Sequence, residues 1–126
     1  MTSGIPGRVL FDECVPRKLL RELPTLAASH AITEGWAGHR NGVLMRAMLA
    51  ADFRTLVTVD RNLIFQQNVA ASGLAVIVLH AKSNRVPDLM PLIPALLAVL
   101  PTARVGTVTH VGVELCLLQT SGRSQR

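Results

Sequence analysis

Apolar positions in this chain gather into short unbroken runs, separated by polar segments rich in Gly or Pro. The clearest run is LAVIVL at 74–79, six aliphatic residues in succession. Runs at 8–12 and 55–59 are similar, and 29–33 is a weaker one. Runs without polar alternation predict strands buried on both faces, as in a parallel sheet covered by helices. Residues 104–111 alternate small and β-branched types and predict an edge strand.

Helical spacing fills the gaps. After Pro16, Leu19, Leu20 and Leu23 share one face, Arg17, Lys18 and Arg21 face outward, and Pro24 closes the segment. EGWAGHRNG at 34–42 reads as a loop. A helix over 42–51 follows, with Asn41 as its N-cap and Val43, Leu44, Ala47 and Met48 turned inward. Further helices are predicted over 62–71, stopped by Gly73, and over 88–100, capped by Asp88 with Pro91 and Pro94 in its first turns. Alternating strands and helices predict an α/β fold of three layers, a mainly parallel central sheet between two layers of helices. In such sheets ligands bind beyond the carboxyl ends of the strands.

Two runs end on carboxylates at such ends. TLVTVDRN (55–62) runs into Asp60, Arg61 and Asn62, and RVLFDECVPRK (8–18) runs into Asp12 and Glu13 with Arg17 and Lys18 behind. Neighbouring carboxylates repel and persist where a cation holds them. Mg²⁺ and Mn²⁺ take oxygen ligands, commonly one or two carboxylates with water and a substrate phosphate. Such an ion polarises a phosphoryl group and activates water. Arg17, Lys18, Arg61, Lys82 and Arg85 follow predicted strand ends and suit a phosphate backbone. Thr58 shares the strand face of Asp60 and can orient it. Plainer roles stay open: Asp12, Asp60, Asn41 and Asn62 all fit as helix caps, and Glu13 and Glu114 as surface charges. Glu34 can reach in from its Gly-rich loop. His30, His39, His80 and His110 have no metal-ligand spacing.

Charge supports an anionic partner. Thirteen Lys and Arg against eight Asp and Glu give a net charge of +5, which makes nucleic acid the first candidate. One Trp and three Phe without Tyr leave an aliphatic core and little aromatic surface for base stacking. At 126 residues the expectation is one domain over 1–112 with a partly disordered extension over 113–126, whose polar end QTSGRSQR frays. Cys14 and Cys116 lie too far apart in sequence to form a framework, and no signal peptide is legible. A soluble cytoplasmic protein with reduced thiols is expected. The longest apolar run, 89–100, is too short to span a bilayer and can serve as core or as the surface of a homodimer.

LFDECVPRKL, TVDRN, VIVLHAKSNR, the following PDLMPLIPALLAVL and the loop GWAGHRNG together resemble the small PIN-like proteins of the DUF5615 group, related to the Mut7-C type. The likeness covers roughly 8–110. It implies a PIN-like α/β/α fold and a ribonuclease dependent on Mg²⁺ or Mn²⁺, with the role of toxin in a bacterial toxin–antitoxin pair. RNA and a cognate antitoxin protein would then be its partners. It makes Asp12 the first acid and Asp60 the third, reached through the Thr-x-Asp pattern at Thr58–Asp60. The second and fourth positions fall on Asn41 and Asn62, where relatives often carry Asp. Amide oxygens still ligate Mg²⁺ but bring no charge. By this reading Asp12, Asp60, Asn41 and Asn62 hold the metal, Glu13 and Thr58 support it, and Arg17, Lys18, Arg61 and Arg85 grip RNA. The two Asn also motivate the alternative of a degenerate PIN-like module that binds RNA or a protein without cleavage. A phosphoacceptor receiver fits less well, because Lys82 follows the strand immediately after Asp60, one strand too early.

Overall fold

Five short strands pair into a single sheet. In the computed structural model, which describes residues 8–23 and 27–112, the strands are β1 (Arg8–Phe11), β2 (Ala28–His30), β3 (Phe53–Thr58), β4 (Ala75–His80) and β5 (Val108–Gly112). Their order is β2-β1-β3-β4-β5 and every neighbouring pair is parallel. Helices cover both faces, so the expected three-layer α/β/α architecture is present. Pro24, Cys116, Glu114 and the tail over 113–126 lie outside the described residues.

Each face has its own core. One packs Val9, Phe11, Val57, Ile77 and Leu79 under the 3₁₀ turn Arg17–Glu22 and the helices α3 (Val86–Leu89) and α4 (Ile93–Val99). The other packs Leu10, Leu56, Val76 and Val78 under α1 (Asn41–Ala50) and α2 (Leu63–Gln66). The crossovers β1 to β2, β2 to β3 and β3 to β4 therefore share one hand. The β4 to β5 crossover continues the direction of β3 to β4 but passes over the opposite face, so its hand is reversed, against the usual rule for such units. The physical reason is coverage. The β1–β2 link supplies only a six-residue turn, and without α4 the face bearing Val57, Ile77 and Leu79 would stand open to water.

Several sequence expectations need correction. The predicted helix over 62–71 is split into α2 and a 3₁₀ turn at Val69–Ala71, because the Asn68 side chain accepts from Ala71 N–H at 3.2 Å and caps a new turn. Gly73 does end this segment, at φ +81°. The helix over 88–100 begins earlier, at Val86, and breaks into four short pieces, each with a proline in its first two positions. Asp88 does not cap it; Asp88 sits in the first turn of α3 and accepts from Ser83 Oγ at 2.6 Å. In α1 the inward residues are Leu44, Met45 and Met48, while Val43 is exposed. The apolar residues of 89–100 are mainly core: Leu89, Leu92, Ile93, Leu96 and Leu100 are buried.

Candidate functional site

All five strands point the same way, so their carboxyl ends form one edge of the sheet. With the order 2-1-3-4-5, consecutive strands part company between β1 and β3, and this switch point is where open α/β sheets place their ligands. Asp12 follows β1 and Asp60 lies two residues past the end of β3. The two sequence-predicted acids therefore flank the switch point.

Asp12 is buried, with 8 % of its surface exposed. Its Oδ1 accepts from Glu13 N–H at 2.8 Å. Its Oδ2 accepts from Thr58 Oγ at 2.8 Å and from the Cys14 thiol at 3.2 Å. Thr58 is fully buried, and its hydroxyl oxygen accepts in turn from Asp60 N–H at 3.0 Å. Thr58 thus ties the end of β1 to the backbone of Asp60; the carboxylate its hydroxyl orients is that of Asp12, where the sequence suggested Asp60. Asp60 is less enclosed; its Oδ1 accepts from Asn62 N–H at 2.9 Å, an Asx turn that starts the approach to α2. Asp60 is not the N-cap of α2, a position that Asn62 holds without a side-chain cap bond; the turn uses one oxygen of Asp60 and no described residue donates to the other.

Cys14, which the sequence did not single out, is the fourth member of this network. Burial pushes its thiol up to about 11, and the charge of Asp12 adds to the shift. The thiol is therefore a proton donor to Asp12 near neutral pH, and not a nucleophile.

The remaining predicted residues divide. Asn41 is not the N-cap of α1; Arg40 holds that position, and Asn41 Nδ2 donates to Gln66 Oε1 at 3.3 Å, tying α1 to α2. Asn62 is exposed and meets Asp60 through its backbone. Glu13 Oε1 accepts from Gly38 N–H at 2.6 Å and fixes the 34–42 loop. Glu34 does not swing in, because it accepts from Ser29 Oγ at 2.6 Å and pairs with Arg8 at 3.8 Å. Arg17, Lys18 and Arg85 line one cleft, joined by Arg21. Arg61 is not with them. Its charge acts on His80 and His110, on the α2 side of the sheet.

Those two histidines form a pair invisible to sequence spacing. His80 Nε2 and His110 Nδ1 are 2.7 Å apart, so they share one proton between them. Burial first, and then Arg61, lowers both from the ordinary 6.5; His110 adds to the effect on His80. In the unfolded chain both take up protons near 6.5. The stability contributed by the neutral pair is therefore complete above about pH 6.5 and is lost as pH falls through the lower folded values. The urea midpoint should fall between about pH 7.5 and about pH 5. A His80→Gln, His110→Gln double variant should show a flatter profile, and an equally steep one would remove the pair as the cause.

Asp12 and Asp60 also bear on a divalent cation. A carboxylate offers about four lone-pair sites. Three are used on Asp12 and one on Asp60 by the bonds above. Among the described residues no group of three His, Cys, Asp or Glu is placed to hold a metal. The donor set thus amounts to two carboxylates, since the Asn41 amide is bonded to Gln66 and Asn62 meets Asp60 only through its backbone; Mg²⁺ or Mn²⁺ that keeps most of its water asks for one or two carboxylates.

Fold and site together define an all-parallel α/β protein with paired acids at its topological switch point. Comparison with known proteins finds no matching family model, no curated relative and no matching solved structure. Among the described residues no helix is long and apolar enough to cross a membrane.

Proposed function

We propose that this protein is a PIN-like, metal-dependent ribonuclease, the toxin half of a bacterial toxin–antitoxin pair, acting in the cytoplasm. The observation that carries the reading is the Asp12–Thr58–Asp60 link at the carboxyl ends of β1 and β3. Asp12 and Asp60 would hold Mg²⁺ or Mn²⁺, and such an ion supplies phosphoryl polarisation and an activated water at neutral pH. Thr58 fixes the orientation of Asp12 by its hydroxyl and the path of the chain at Asp60 by accepting its N–H. Burial of Asp12 limits water around it and strengthens its electrostatic interactions.

Calorimetric titration with Mn²⁺, natural protein against Asp60→Ala, tests this, followed by cleavage of labelled RNA in the same buffer. Binding that falls at least about tenfold in Asp60→Ala, with cleavage in the natural protein alone, is the expected result. Binding unchanged by Asp60→Ala would place the metal elsewhere and end the assignment.

A second reading rests on the lack of a third acidic partner among the described residues: a module that binds RNA or a protein and does not cleave. It requires that the natural protein bind no Mn²⁺. Asn41→Asp with Asn62→Asp should then create a binding isotherm where none existed.

A further inference from the structure

Polar groups collect on one face of the sheet at its carboxyl edge. Val76 and Val78 of β4 belong to the core under α1 and α2, and Val108 of β5 packs against it. His80 and His110 follow at steps of two and so stand on that face. Leu10 and Leu56 hold the same face on β1 and β3, and Asp12 and Thr58 continue their parity. The register sets these positions side by side: Phe11 pairs with Val57, Thr58 with Val78, and Val78 with His110. His80 is one strand and His110 two strands from Thr58, at about 4.8 Å per strand. Arg61, the residue after Asp60, acts on both imidazoles, so the chain leaving β3 runs beside them.

The pair is not needed to hold β5 in place. β4 and β5 are already joined over five residue pairs, and both imidazoles are half-buried, outside the core. One nitrogen of each ring is taken by the other ring, and no described residue bonds to His80 Nδ1 or His110 Nε2. With His80 Nε2–H donating to His110 Nδ1, His80 Nδ1 carries a lone pair. Burial and the Arg61 charge lower both imidazoles, so that lone pair is open to a proton at neutral pH.

We propose that His80 is the general base of the paired-acid site, with His110 fixing its tautomer and sharing the proton it gains. The proposal rests on the reading that the protein cleaves RNA with water. In that step a proton of the attacking water passes to His80 Nδ1 while the water oxygen bonds to phosphorus. The bond from phosphorus to the leaving ribose oxygen breaks, that oxygen takes a proton from solvent, and the pair releases its own to solvent. His80 is then a catalytic residue. His110 acts through it and is a positioning residue.

Chemical rescue tests the proposal, with labelled RNA and Mn²⁺ on the full chain. His80→Gly should lose about a hundredfold in kcat with KM unchanged. Added imidazole should restore part of the loss, and a more basic imidazole should restore more. His110→Gln should lose less than His80→Gly. Mn²⁺ affinity by calorimetry should stay the same in both variants. His80→Gly that cleaves like the natural protein overturns the base and leaves the nuclease reading intact. A loss that imidazole does not rescue, or that comes with lost Mn²⁺ binding, makes His80 a structural residue or a ligand and overturns the proposal. A natural protein that cleaves no RNA overturns both. Should circular dichroism show His80→Gly unfolded, His80→Gln carries the kcat test, and an unchanged kcat there overturns the base.

Discussion

Asp12→Ala is expected to abolish RNA cleavage and to destabilise the fold in the same step. Asp12 accepts three hydrogen bonds inside the protein, from Glu13 N–H, Thr58 Oγ and Cys14 Sγ. Alanine removes the acceptor and leaves the fully buried Thr58 hydroxyl facing a thiol, a weak acceptor, at 3.4 Å. A buried polar group that loses its partner costs about 1–3 kcal/mol, and bonds to a charged group lie at the upper end. A total loss of about 2–4 kcal/mol follows, or roughly 10 °C in melting temperature. Asp12→Asn should cost less. Its oxygen still accepts from Glu13 N–H while its NH₂ faces Thr58, whose hydroxyl must then turn away.

Asp60→Ala is the matched control. Its one described side-chain bond, to Asn62 N–H, is exposed, so activity should go while melting changes little. Thermal melting and a cleavage gel on the three variants give the answer. An Asp12→Ala protein that melts like the natural one would contradict the buried network.

Phe53→Ala is the second large effect, about 3–5 kcal/mol of stability. Phe53 is fully buried, with the Trp36 ring edge-on at 5.7 Å between centroids and the Arg8 guanidinium 4.1 Å above its ring. The loss of the aromatic pair adds about 0.5–1.5 kcal/mol to the loss of buried area. Phe53→Leu, which keeps most of the volume, should cost less than about 1.5 kcal/mol. Trp36 is the sole tryptophan, so its fluorescence in a urea titration reports this contact directly. The effect should also reach the site. Trp36 lies in the loop whose Gly38 N–H holds Glu13 and which leads into Asn41. Wild-type stability in Phe53→Ala would mean that Trp36 and Arg8 pack elsewhere.

β1 and β4 and the end of β3 were legible because their runs are mostly apolar, and such runs have few alternatives in a small α/β domain, whereas β2 (Ala-Ser-His) carries almost no such signal. The helices were less so. Prolines at 87, 91, 94 and 101 and the side chain of Asn68 compete with helical hydrogen bonding residue by residue, and periodicity averages over such local contests. Phe53 shows the same limit within a strand. The register of β1 against β3 shifts between Arg8 and Val9, so that Phe53 and Leu56, three residues apart, belong to one core. Strict alternation would have put them on opposite faces.

At the site, Asp12 and Asp60 could be found from sequence because each ends an apolar run at the edge where ligands bind. Thr58 was within reach through strand parity, since Asp60 is two residues on. Cys14 and Arg21 were not, since their roles depend on which loops the sheet order brings together. The histidine pair is of the same kind: residues thirty positions apart met only because β4 and β5 are neighbours.

The sequence by itself thus determined the α/β class, the aliphatic strands, and the acids and cations that follow them, because these depend on local pattern and composition. The tertiary structure alone decided the β2-β1-β3-β4-β5 order, the reversed last crossover and the gathering of Arg17, Lys18, Arg21 and Arg85 away from Arg61. Those outcomes depend on which faces must be covered, and burial of apolar area is a property of the assembled layers that no short segment carries.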